Sequence, residues 1–173
     1  MKTKTIRNIF VLALILFTVL GCSKYEEGPW ISFRSPERRL CGKKWHVVSF
    51  MKNDSDLTAQ WTANYDWRLF FHEHYDSGLG ESTGLDVFDG DDNRVAFGSW
   101  SFESLDSDGI NANTEKISFG FTLADDWYVI EGQYPLLTRE ICDYKILRLK
   151  SDELWIEHTD SIQNEYVIKF SND

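Results

Sequence analysis

Two histidines one residue apart, in Phe71-His72-Glu73-His74-Tyr75, have the type and spacing nearest to a reactive site. On a strand His72 and His74 project to one face, which lets two imidazoles share a metal. Zinc takes four ligands, or three and a water. The only other histidines are His46 and His158, so the pair reads better as polar surface near a strand end. A second candidate is the acidic run Asp86, Asp89, Asp91, Asp92 and Asn93. It lacks the twelve-residue ligand pattern and terminal glutamate of an EF-hand, so a solvated hairpin turn is preferred over a calcium loop.

Covalent catalysis finds less support. Gly98-Ser99-Trp100 sits inside an alternating segment and is not the Gly-x-Ser-x-Gly elbow of a serine hydrolase. A small residue there admits an aromatic neighbour. Gly78-Leu79-Gly80 is too short for a phosphate-binding loop. The residues assemble no catalytic site, and neither an enzymatic activity, a cofactor nor a bound metal is assigned.

The elements that must position these residues are strands. Ile117 to Leu123 alternates strictly, as does Tyr166 to Phe170. Trp67, Leu69 and Phe71 share one face, with Arg68, Phe70 and His72 on the other. Further segments are Trp45–Met51, Val95–Phe102, Trp127–Gln133, Ile141–Leu149 and Leu154–His158, with a weaker one at Leu85–Phe88. Turn residues separate them at 53–56, 89–93, 106–109 and 151–153. One short helical turn fits near Ser55–Thr62. Eight or nine strands in hairpin order predict a sandwich or a closed barrel, and a barrel leaves no exposed strand edges.

The amino terminus has a different character. Lys2, Lys4 and Arg7 precede an apolar run from Ile9 to Leu20. The run is shorter than the ~20 residues a membrane-spanning helix needs, so it reads as a signal peptide. Val19-Leu20-Gly21-Cys22 resembles the bacterial lipobox, with valine where leucine is commoner. That resemblance implies a diacylglyceryl group on the Cys22 thiol, cleavage before it, palmitate labelling and a lipid-anchored place in the cell envelope. Residues 1–21 are then signal, 22–40 a polar tether and arm, and 41–173 the folded domain. Ser23 to Pro29 is similar to the export signal of surface-exposed lipoproteins of the Bacteroidota. A plain solvated linker is the other reading, so either face of the outer membrane stays open.

Of 173 residues with net charge −10, cleavage removes three basic side chains and no acids, leaving 152 residues at −13. Such a chain is repelled by polyphosphate, and nucleic acid is not expected as a partner. With 42% hydrophobic residues, seven tryptophans and twelve phenylalanines, it has ample material for one core. Export permits a disulfide between Cys41 and Cys142, contributing ~4–5 kcal/mol through the long loop it closes. Two buried thiols are the alternative, and the sequence decides neither.

Gly28 to Ser35, then Arg38 to Trp45, resemble the lipocalin-like lipoproteins of Bacteroidota, where a tether and arm lead from Gly to Trp in the first barrel strand. Lipocalins proper have Gly-x-Trp; here two residues part Gly42 from Trp45. One extra residue can turn Trp45 to the other face of its strand, and a bulge would restore it. Tyr144–Lys150, Glu153–His158 and Glu165–Phe170 look like the family's closing hairpins. The resemblance implies an all-β, up-and-down antiparallel barrel of about eight strands. It also implies that Trp45 plugs one end beneath a basic side chain, Arg148 or Lys169. The expected function is binding at the envelope, of a small apolar ligand or a protein partner. The alternative is a structural or interaction subunit with a filled barrel.

Overall fold

The computed structural model describes Tyr25 and residues 34–64, 66–73, 75–76, 81–104, 112–122, 135–136 and 141–172. Cys22, His74 and the expected strand Trp127–Gln133 lie outside them.

A short helix, α1 (Pro36–Leu40), precedes the first strand. Ser35 starts it, its side chain accepting from the Arg38 N–H at 3.3 Å, and a proline occupies the first turn. The strands are β1 (Lys44–Lys52), β2 (Ser55–Asp56), β3 (Arg68–Phe71), β4 (Tyr75–Asp76), β5 (Glu81–Ser82) and β6 (Gly84–Phe88). They continue as β7 (Arg94–Ser104), β8 (Ala112–Thr122), β9 (Cys142–Leu149), β10 (Glu153–Thr159) and β11 (Glu165–Ser171). A second helix, α2 (Thr58–Asn64), joins β2 to β3.

Eight strands pair antiparallel in the order β1, β3, β6, β7, β8, β9, β10, β11, and β11 pairs back on β1. The sheet is a closed up-and-down barrel, as expected from the sequence. The weak Leu85–Phe88 segment is one of its staves. Asn53 and Asp54, both at positive φ, make the two-residue turn between β1 and β2. Asp89-Gly-Asp-Asp-Asn93 and Asp160-Ser-Ile-Gln-Asn164 are twin turns. In each, the aspartate accepts from backbone N–H groups two and four residues on, at 3.0 and 2.8 Å.

Three barrel strands lose register by a residue, and each slip keeps large side chains inside. In β1, Val47 faces Phe170 and Ser49 faces Lys169, so Val48 is extruded and Phe50 returns inward opposite Ile168. Trp45 is inward and fully buried, so the extra residue after Gly42 does not turn it out. The bulge sits three residues later and serves Phe50 instead. Comparable slips at Leu147 in β9 and Val95 in β7 reset those strands.

The interior is aromatic. Phe119 stacks on Tyr144 at 4.3 Å, and Phe71 meets Trp100 and Phe119 edge-on at 5.8 and 6.0 Å. The Tyr144 hydroxyl donates to the Pro135 carbonyl at 2.7 Å. At the end where the chain enters, Trp45 donates its indole N–H to the Leu40 carbonyl at 2.8 Å. At the opposite end Trp61 of α2 lies flat on Phe50, at 4.7 Å. Gly98 is required because a Cβ there would strike the Gly120 carbonyl and Phe121 Cα of β8. The sequence-based expectation that it admits an aromatic ring is replaced by contact with backbone.

These faces are tested by a pair of truncations read by urea unfolding. Phe119→Ala, emptying the centre, should cost ~3–5 kcal/mol. Phe97→Ala, on the outer face, should cost less than about 1 kcal/mol; equal losses would contradict the inward and outward assignment.

Candidate functional site

The sequence candidates converge on one outer wall, formed by β1, β3, β6 and β7. Register sets Lys44 beside Phe70, Phe70 beside Asp86 and Asp86 beside Phe97, all pointing out. In the next row Arg68 pairs with Phe88, which pairs with Arg94. His72, just past β3, bonds its N–H to the Gly84 carbonyl at 2.9 Å and lays its ring over that glycine.

Asp86 is the centre of this wall. Its carboxylate meets His72 Nε2 at 2.8 Å and Arg94 at 3.5 Å. The side chain is only 14% exposed, although it points outward. Phe70 packs edge-on against His72 at 4.8 Å and lies 6.4 Å from Phe88. Cations cover the rings: Lys44 Nζ sits 4.3 Å from the Phe88 centroid and Arg94 Cζ 5.6 Å from Phe97. Phe97 is nonetheless 40% exposed, a flat ring offered to solvent.

The acidic run is a structural turn. Asp92, at positive φ, pairs with Lys44 at 2.7 Å and Arg68 at 3.2 Å. Asp89 is pinned by the N–H groups of Asp91 and Asn93. Hydrogen bonds from Asn93 hold Asp89 below the usual carboxylate range, and that from Lys44 does the same for Asp92. Among the described residues no three His, Cys, Asp or Glu side chains converge as metal ligands. His46 and His158 stand on β1 and β10, and His158 Nδ1 lies 2.8 Å from the Asp143 carbonyl.

Ser99 is exposed on the same wall, across Gly84 from His72. The N–H following it, on Trp100, is already bonded to the Thr83 carbonyl at 3.1 Å. An oxyanion needs an uncommitted donor at that position. Rings, paired charges and a fixed carboxylate together suit recognition of a complementary surface.

Both Cys41 and Cys142 are buried free thiols. Cys41 Sγ donates to the His72 carbonyl at 3.4 Å. Burial, then the charges of Glu37 and Glu73, push its thiol up to about 12, which leaves it unreactive. The basic partner expected over Trp45 is a correction: Arg148 and Lys169 lie not over Trp45 but over Trp155, at 4.6 and 4.1 Å. Lys43 is the cation near Trp45, at 5.3 Å.

No protein-family profile matches the chain, and no curated protein matches it. Among solved structures, a lipocalin-like protein from Bacteroides uniformis is similar. It is 15% identical with a TM-score of 0.39, covering 78% of this chain and 99% of that one. The barrel is established by the chain's own strand pairings.

Several carboxyls are held low in the folded state, among them Asp56, Asp89, Asp92 and Glu153. A depressed folded pKa stabilises above the unfolded value, ~4, and that contribution is lost as pH falls through the folded value. The urea midpoint should therefore stay level from pH 7 to ~5 and drop below ~4. A midpoint that rises towards pH 4 would show repulsion among the excess acids outweighing these pairs.

Proposed function

We propose that the mature protein is a lipid-anchored binding module of the bacterial envelope, engaging a protein partner through its wall. The observation that carries this reading is the centre of the barrel, occupied by Phe71, Trp100, Phe119 and Tyr144 in mutual ring contact. A carrier of small apolar molecules needs that volume for its cargo. A barrel of eight strands is narrow enough for its own side chains to fill. Recognition then falls to the outside, where Phe97, Arg94, Phe70 and His72 stand together around Asp86. Aromatic residues and arginine are the types enriched where proteins meet.

The anchor is Cys22, and no helix among the described residues is long and apolar enough to cross a membrane. Acyl chains on that thiol, two or more, would hold the domain stably where a single one would not.

Replacing Cys22 with serine should abolish palmitate labelling and release the protein from the membrane fraction. Retention of both would end the anchor reading. For the binding reading, tagged protein from the native envelope is compared with the double variant Arg94→Ala, Phe97→Ala. A stoichiometric partner retained by the first and lost by the second is expected. Native mass spectrometry that finds an apolar compound in equimolar amount inside the barrel would restore the carrier version instead.

A further inference from the structure

Residues 22–40 read from sequence as a polar tether and arm, yet Tyr25 is 2% exposed and belongs to the hydrophobic core. It sits under Arg39, whose guanidinium carbon is 5.7 Å from its ring centroid. Arg39 is itself only 6% exposed. It donates to the Leu149 carbonyl at 2.6 Å and to the Ser35 carbonyl at 3.5 Å. A buried guanidinium is tolerated only with such partners. Tyr25, Arg39 and the end of β9 thus form a clamp at the end of the barrel where the chain enters.

The clamp shortens the leash. Tyr25 is three residues along the chain from Cys22, a reach of at most ~11 Å. The headgroup layer takes up roughly 5–8 Å of that. Without the clamp the first fixed point would be near Arg34, about 40 Å of chain from the lipid. At the end so held, Arg34, Arg38, Arg39 and Lys43 stand against Glu37, Glu73 and Asp152, with Glu26 and Glu27 next to Tyr25 in sequence. Arg34 and Arg38 are exposed.

We infer that Tyr25 docks the lipidated amino terminus into the barrel end, so that this end, with Arg34 and Arg38 exposed on it, lies directly on lipid headgroups and the barrel stands off the membrane with a fixed orientation. The inference rests on lipidation of Cys22. It deepens the anchor reading by specifying a lipid surface as the partner of one end.

The test uses the full lipidated protein in vesicles of phosphatidylethanolamine and phosphatidylglycerol bearing headgroup acceptor dyes. A donor fluorophore is placed by an unnatural amino acid at Asp152, in the turn at the clamped end, or at Ile162, in the turn at the opposite end and 78% exposed. Energy transfer from position 152 should exceed that from 162 several-fold. Tyr25→Ala should level the two. Because that variant loses a core side chain, a second one inserts ten Gly/Ser residues between Ser23 and Lys24, leaving Tyr25 docked. Transfer from 152 should fall there too, with the urea midpoint unchanged. Equal transfer from both sites in the palmitate-labelled parent overturns the docking while the anchor stands. So does undiminished transfer from 152 after the insertion. Absence of palmitate on Cys22 removes the anchor and the docking together.

Discussion

The pairing of β11 with β1 is the constraint on which the rest of the molecule depends. Closure gives each of the eight barrel strands two neighbours, so each of their residues is committed to an inside or an outside. It also joins the last strand to the first over the whole length of the chain, a contact with a high loop-closure cost. That cost is offset by what closure encloses. Phe50 and Ile168, Val47 and Phe170 come together only across this seam, and each large side chain fully buried contributes ~1.5–3 kcal/mol. The bulge at Val48 lies on the same seam, and without it Phe50 would face water while its β11 partners faced in.

The charges follow from the same geometry. A barrel turns its polar residues outward, and residues 22–173 carry 28 acids against 15 bases. Many of the acids spend their charge locally. Asp89 and Asp160 tie up turn amides, Asp92 bridges Lys44 and Arg68, and Glu153 joins Arg148 to Lys150 at 2.9 and 2.8 Å. Exposed pairs of this kind contribute little each. Their effect here is positional: they fix turns and leave cations such as Lys44 lying over aromatic faces.

Alternation made the strands readable in the sequence, most clearly in Tyr166–Phe170 and in Trp67, Leu69 and Phe71. Their number and hairpin order were enough to expect a sandwich or a barrel, and the lipocalin-like resemblance favoured the barrel. What alternation cannot carry is a change of phase. Leu147, Val95 and Val48 each reset a strand by one residue, and no composition signal marks them, because each is an aliphatic residue like those on either side of a strand. Contacts across barrel ends were equally illegible. The cation near Trp45 proved to be Lys43, not Arg148 or Lys169, since Arg148 points outward after the slip in β9 and Lys169 by the plain alternation of β11. Tyr25 stood among charged neighbours and carried no periodicity, so its burial could not be read from its surroundings. The candidate wall was half visible. His72, Asp86 and the acidic turn stood out by type, whereas Phe70, Phe88 and Phe97 became a group only through register between three strands.

His72 explains why a site on this wall would be rigid. Its ring bonds Asp86 outside the barrel, while its N–H joins the Gly84 carbonyl in the sheet. Its own carbonyl receives the Trp100 indole at 3.2 Å and the Cys41 thiol at 3.4 Å. One residue therefore ties the wall to the aromatic interior and to the arm that enters from the amino terminus. The neighbouring N–H of Gly42 bonds the Phe71 carbonyl at 3.0 Å, adding a second tie at the same place. A surface held this way loses little conformational freedom when it meets a partner. The rings of Phe71, Trp100, Phe119 and Tyr144 inside the barrel are then the support that keeps Asp86, His72 and Phe97 in one arrangement. The aromatic interior and the outward-facing wall are two consequences of the same closed sheet.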